Sequence, residues 1–151
     1  MRIYVDTSVV GGCLDDEFRD GSVQLSDRFR RGDAVAVLSD ITLAELAGAP
    51  PSVQAIVEGL PDSSVEYVRQ SKEAEKLAEA YILRKAVPRR MELDAQHIAI
   101  ATVARVDVLV SWNFKHIVNL DRIRAFNAVN SELGYNQLEI RAPLEIWKDE
   151  D

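Results

Sequence analysis

The sequence predicts a three-layer α/β/α sandwich around a mostly parallel sheet of about five strands. Three observations carry this. Short β-branched runs alternate with amphipathic segments of ten or more residues. No internal repeat and no linker interrupts the 151 residues. Finally, 47% of the residues are apolar, which at this length builds a core without disulfides or a structural metal. Residues 1–147 therefore read as one domain, and the charged stretch from Lys148 to Asp151 as a tail.

In chain order, Arg2 to Val5 is a β-branched and aromatic run that stops at Asp6-Thr7-Ser8, polar residues able to cap a helix. From Asp15 to Arg31, Phe18, Leu25 and Phe29 recur at helical intervals until Gly32-Asp33 breaks the pattern. Ala34 to Leu38 reads as a second strand. Ser39 or Asp40 then caps a helix that carries Ile41, Leu43, Glu45 and Leu46 and ends at Gly48-Ala49-Pro50-Pro51. A short helix over Ser52 to Gly59, with Pro51 in its first turn, precedes a third strand, Val65 to Val68. Ser71-Lys72-Glu73-Ala74 opens a strong helix running to Pro88 with Ala74, Leu77, Ala78 and Tyr81 as its buried stripe. Met91 to Ala104 is a further helix with Asp94 in its first turn, where the helix dipole favours an anion. Val108 to Val110 makes a fourth strand leading into Ser111-Trp112-Asn113. A helix from Asp121 to Leu133, closed by Gly134, leads to a fifth strand at Leu138 to Ile140.

The charge balance is 18 Lys and Arg against 25 Asp and Glu, a net charge of -7. That disfavours bulk electrostatic binding of nucleic acid, which needs Lys and Arg to displace condensed counterions. Acids converging on a divalent cation would reverse the local sign toward a phosphate. The single Cys13 has no partner for a disulfide and reads as a small buried hydrophobe. Arg2 and Asp6 interrupt any signal peptide at the start, and the apolar stretch Ile98 to Trp112 is broken by Arg105 and Asp107. The expectation is a cytoplasmic protein with no membrane span.

Ligands of open α/β sheets collect beyond the carboxyl ends of the strands. Asp6 and Asn113 each follow a strand, and Glu45 and Asp94 lie on helices that can reach the same edge, with Ser8 and Ser111 beside them. No P-loop, dinucleotide fingerprint, zinc-ligand spacing or nucleophile elbow is present. The hard oxygen donors Asp6, Glu45 and Asp94 suit Mg2+ or Mn2+, and gathering three carboxylates without a cation would cost several kcal/mol in repulsion or force a proton onto one of them.

Four segments in order, YVDTSVVGG, ITLAELAG, LDAQHIAIATVARVD and DVLVSWNFKHIVN, resemble the PIN domain, in particular the VapC-like toxins of toxin–antitoxin pairs, over Arg2 to about Asn119. The resemblance implies that Asp6, Glu45 and Asp94 coordinate Mg2+ or Mn2+. Ser8 and Ser111 would support the ligands and the scissile phosphate, and RNA would be hydrolysed by a metal-activated water. It also implies a homodimer and an antitoxin partner.

One position departs from the pattern. Where PIN nucleases usually place a fourth acid, this chain has Asn113, which can still offer a neutral carbonyl oxygen. Asp107 opens the strand whose other end holds the site, about 13 Å away at roughly 3.3 Å per residue, so it is a poor substitute; Asp121 would have to reach by a loop. One firmly held cation and a weak or substrate-assisted second are therefore expected. The other reading is a PIN-like module whose catalysis has lapsed. A phosphorylated aspartate is a third, but Thr7 and Ser8 occupy the places where that chemistry shows a second acid.

Around these residues the expectations are divided. His97, on the Asp94 face of its helix, is either packed and satisfied or steers Asp94 or a phosphate. Arg84, Lys85, Arg89 and Arg90 cluster before Asp94, where they either neutralise a helix end or, with Arg89 and Arg90 foremost, guide RNA inward. Trp112 is either core or a base-stacking surface. Lys115 and His116 read as solvent-facing turn residues.

Overall fold

The computed structural model describes residues 1–146. The charged tail from Lys148 lies outside these described residues. The strands β1 (Arg2–Val5), β2 (Val35–Ser39), β3 (Val65–Val68), β4 (Val108–Val110) and β5 (Ile140–Arg141) form one sheet in the order β3-β2-β1-β4-β5, every neighbouring pair parallel. Helices α1 (Thr7–Gly12), α2 (Arg19–Arg30), α3 (Asp40–Ala47), α4 (Pro51–Glu58), α5 (Lys72–Leu83), α6 (Glu92–Val103) and α7 (Leu120–Glu132) connect them.

Strand alternation divides the core into two layers. Tyr4, Val37, Leu109 and Ile140 point toward α5, α6 and α7, while Ile3, Val5, Ala36, Leu38, Val108 and Val110 point toward α1, α2 and α4. A sheet covered on both faces has no polar side, which is why its strands read as continuous apolar runs. The chain winds outward from β1 to β3 and returns to place β4 on the other side of β1. The order therefore reverses between β1 and β4, and the crevice past their carboxyl ends is the place such sheets bind ligands. Val5 pairs with Val110, so Asp6 and Ser111 leave the sheet side by side.

Several boundaries differ from the sequence expectation. The helix expected over Asp15 to Arg31 begins only at Arg19, as α2, and a separate short helix, α1, precedes it over Thr7–Gly12. Between them the Asp15 side chain accepts from the Glu17 N–H at 2.8 Å in a turn, leaving Phe18 at the α2 N-cap. Helix α5 stops at Leu83, not Pro88, because Lys85 takes a left-handed φ of 62° and the Ala86 N–H bonds back to the Tyr81 carbonyl at 2.9 Å. Strand β5 begins two residues late because Asn127 takes both backbone groups of Leu138: its Oδ1 accepts from the N–H at 2.7 Å and its Nδ2 donates to the carbonyl at 3.1 Å.

At the opposite, amino-terminal end of the sheet, the Asp107 carboxylate accepts from the Arg2 N–H at 2.6 Å, while the Arg2 guanidinium pairs with Glu66. Asp107 is thus occupied far from the crevice.

Candidate active site

Asp6 caps α1 and is 7% exposed. Its Oδ2 accepts the Ser111 hydroxyl at 2.5 Å and the Ser8 hydroxyl at 3.2 Å, and Oδ1 takes a long contact from the Ser8 N–H at 3.4 Å. Each hydroxyl is itself held by a backbone donor. Trp112 N–H donates to Ser8 Oγ at 3.0 Å and Asn113 N–H to Ser111 Oγ at 2.9 Å. One Asp6 oxygen is thereby held by two hydroxyls, each anchored in turn by a backbone N–H, and the other is left nearly uncommitted. Fixing a carboxylate this way restricts its rotation without cancelling its charge.

Glu45 rides on α3, which Ser39 caps through the Thr42 N–H at 3.2 Å. Its Oε1 lies 2.6 Å from His97 Nε2, and that hydrogen bond holds the Glu45 carboxyl below its ordinary range. Asp94 lies in the first turn of α6, half-buried. Burial, then the negative charge of Asp6, with a smaller contribution from Glu45, pushes its carboxyl up to about 6 against the opposing influence of His97 and Asn113. Asp94 thus feels the negative charge of both Asp6 and Glu45.

Asn113 presents its amide the other way round from the expectation. Its Oδ1 accepts from the His116 N–H at 3.0 Å, and its Nδ2 faces Asp94 Oδ2 at 3.5 Å. The neutral carbonyl is spent on closing the loop, and the amide instead turns a donor toward Asp94.

Arg89 is held by Glu79 at 2.6 Å and Arg84 by Glu132 at 2.7 Å, so two of the four cations expected before Asp94 are taken up in ion pairs. Arg90 of that cluster instead joins Lys115 of the loop after β4 and Arg122 of α7 around His116. There burial, then the charges of Lys115, Arg122 and Arg90, lower His116. His116 is 8% exposed, not solvent-facing as its turn position suggests, because the Asn113 cap folds it inward. Trp112 is core: it stacks on Phe18 with centroids 4.7 Å apart and donates to Ser22 Oγ at 2.8 Å.

The sequence reading missed Tyr4. Its hydroxyl lies 2.7 Å from both Ser39 Oγ and His97 Nδ1, linking the middle strand to the site. The signal was present: a tyrosine in a strand buried on both faces must find a polar partner, and His97 lies on the buried side of its helix.

Among the described residues, no group of three or more His, Cys, Asp and Glu side chains is arranged to hold a metal ion. Mg2+ binds through one or two carboxylates and keeps most of its waters, so a closed protein cage is not required. The donor set fits that mode: hard oxygens, an Asp94 carboxyl destabilised by burial and then by its acidic neighbours, and a buried Thr7 hydroxyl beside Glu45 with no well-aligned hydrogen bond.

No protein-family model matches the chain, and no curated protein matches it in sequence. Solved structures match along their whole length. VapBC2 from Rickettsia felis, bound to a DNA fragment from its promoter, aligns at 13% identity and a TM-score of 0.60 over 94% of this chain and 98% of that one. VapC20 of Mycobacterium tuberculosis, a sarcin-ricin loop cleaving toxin, aligns at 16% identity and 0.57 over 91% and 98%. FitAcB from Neisseria gonorrhoeae aligns at 15% identity and 0.54 over 95% and 99%. The chain has a VapC-like PIN fold. Within this PIN fold the acids come from the end of β1 and from α3 and α6, and the serine network binds the β1 and β4 ends together at the reversal of strand order.

Proposed function

We propose that the chain is a divalent-metal-dependent endoribonuclease and the toxin of a type II toxin–antitoxin pair. The observation that carries this is that Asp94, already raised by burial, also feels the negative charges of Asp6 and Glu45 at the strand-order reversal of a VapC-like PIN fold. The complexes named among its structural neighbours support an antitoxin partner, and the cleaving toxin among them supports RNA as substrate.

Asp6, Asp94 and Glu45 would hold Mg2+ or Mn2+, which supplies Lewis acidity toward the phosphate and a more acidic water. The chain's own groups do the positioning. Ser8 and Ser111 fix the Asp6 carboxylate, His97 fixes Glu45, and the Asn113 amide steadies Asp94. Because all of these are hydrogen-bonded before any ligand arrives, little reorganisation accompanies binding. Lys115 of the Asn113 loop, Arg90 of the turn before α6 and Arg122 of α7 gather around His116 and suit an incoming backbone phosphate. A homodimer and a cytoplasmic location belong to the same reading. No described helix is long and apolar enough to cross a membrane.

Purified protein incubated with structured RNA should cleave it in Mn2+ or Mg2+. Cleavage should stop in EDTA and be absent from Asp6→Asn. A second reading, a weakened RNA- or protein-binding module, is favoured by one observation: the fourth position offers Asp94 an amide donor where a further carboxylate would add charge. RNA binding without cleavage in any divalent ion would select it.

A further inference from the structure

We infer that His97, itself anchored by Tyr4, is a positioning residue for Glu45, and that the Tyr4–His97–Glu45 chain sets how tightly the site grips its divalent ion. This rests on the nuclease reading above and deepens it.

His97 is 2% exposed, and both ring nitrogens are engaged, Nε2 with Glu45 Oε1 at 2.6 Å and Nδ1 with the Tyr4 hydroxyl at 2.7 Å. The Tyr4 ring meets the imidazole edge-on with centroids 5.7 Å apart, so the ring plane is fixed as well as its two ends. From Tyr4 the chain continues to Ser39 Oγ at 2.7 Å, and Ser39 is the N-cap of α3, the helix that carries Glu45. The contacts therefore close a loop, from β1 through α6 to Glu45 and back along α3 to β1.

An imidazole this deeply buried is costly unless both nitrogens are satisfied, and a leucine of similar bulk would pack there without that demand. What leucine cannot do is present a fixed donor to a carboxylate. A glutamate on a short helix at the rim of a crevice otherwise samples many rotamers, and locking Oε1 leaves the carboxylate one orientation. Outer partners that orient a ligand in this manner typically change metal affinity by 10- to 100-fold when removed.

Two polar substitutions separate positioning from packing. In His97→Gln the amide nitrogen reaches the place of Nε2 and can still donate to Glu45, whereas in His97→Asn the amide stops near the place of Nδ1 and can meet only Tyr4. Calorimetric titration with Mn2+ alone, on variants shown to be folded by circular dichroism, should place His97→Gln within a few-fold of wild type and His97→Asn about 10-fold weaker. Tyr4→Phe should show a smaller loss. In the metal-free protein, 15N-edited NMR should find a slowly exchanging proton on His97 Nε2 that disappears in Glu45→Ala. Equal Mn2+ affinity of the Gln and Asn variants, or an Nε2 proton indifferent to Glu45→Ala, overturns the inference while leaving the nuclease reading intact. Failure of the wild type to bind Mn2+ or cleave RNA overturns that reading, and the inference falls with it.

Discussion

The amide of Asn113 decides how many negative charges face one another in the crevice. Its Nδ2 turns toward Asp94, and its Oδ1 holds the His116 N–H, a bond that a carboxylate oxygen can equally accept. Asn113→Asp should therefore keep the loop and add a charge beside Asp94. Divalent-ion affinity should rise by roughly 1 kcal/mol or more, while the metal-free melting temperature falls, since like charges near 4 Å interact with at least that energy. Calorimetry with Mn2+ and thermal melts in EDTA read the two effects, and a rise in both would contradict this placement. Asp94 gives a second prediction. Its carboxyl is raised from 3.8 to about 6, so the folded chain binds the proton more tightly than the unfolded one. Its contribution to stability is then complete below pH 4 and is lost as pH rises through 6. His97, for which burial is outweighed by the Glu45 hydrogen bond and the acids around it, is also raised and acts in the same direction, losing its contribution as pH rises through its folded value. Metal-free wild type should thus melt higher at pH 5 than at pH 7. Asp94→Asn should flatten much of that slope and be more stable than wild type at pH 7 by about 1 to 2 kcal/mol, allowing for partial screening of a half-buried group. It should also lose ion binding.

At the scale of elements, what the sequence reveals is what local rules govern. The strands β1 to β4 are legible because a sheet covered on both faces demands apolar runs, and Ser39 and Ser71 cap their helices as such residues do. The acids are legible too, since each lies at or near an element's end. Boundaries set by a distant partner are not. The late start of β5 depends on Asn127, eleven residues before Leu138, and nothing in Leu138 announces it. The roles of Tyr4 and His97 depend on partners 93 and 52 residues apart in the chain. Trp112 shows how such long-range packing reaches the site. It lies across α1 and α2, and a Cβ on Gly21 would fall 2.7 Å from its ring and on Gly12 2.8 Å from its Nε1. The Trp112 N–H meanwhile holds Ser8. Gly21→Ala should destabilise the fold by about 1 to 3 kcal/mol through overpacking, despite the helix propensity gained, and should weaken Mn2+ binding as Trp112 shifts. Gly11→Ala, whose Cβ meets nothing within 4 Å, should stabilise by up to about 1 kcal/mol. Urea denaturation of both variants reads the contrast, and equal effects would remove Trp112 as the link between helix packing and site.

At the scale of the whole molecule, a net charge of -7 and a nucleic-acid substrate are compatible only if the charges are segregated. The topology provides this. By returning β4 beside β1, the chain brings the loop bearing Lys115, and with it Arg122 of α7, to the same end of the sheet as the acids. Arg90, four residues before Asp94, joins them from the turn before α6. Clustering along the sequence suggests Arg84, Lys85, Arg89 and Arg90, with Arg89 and Arg90 foremost; of these Arg84 and Arg89 are spent on Glu132 and Glu79, while Arg90 joins Lys115 and Arg122 around His116. The phosphate-binding cations should therefore be those that the fold assembles. With Asp6→Asn as background, so that RNA stays intact, the slope of log affinity against log salt should fall by ~0.7 for each phosphate of a single strand that a variant no longer neutralises. Reversing Lys115 and Arg90 to Glu should lower it by roughly 1.4 in total. Reversing Arg84 and Arg89 should leave it nearly unchanged, because each already shares its charge with a glutamate. The opposite ranking would return phosphate guidance to the end of α5, and equal slopes in all variants would mean that RNA approaches the acids from another side of the molecule.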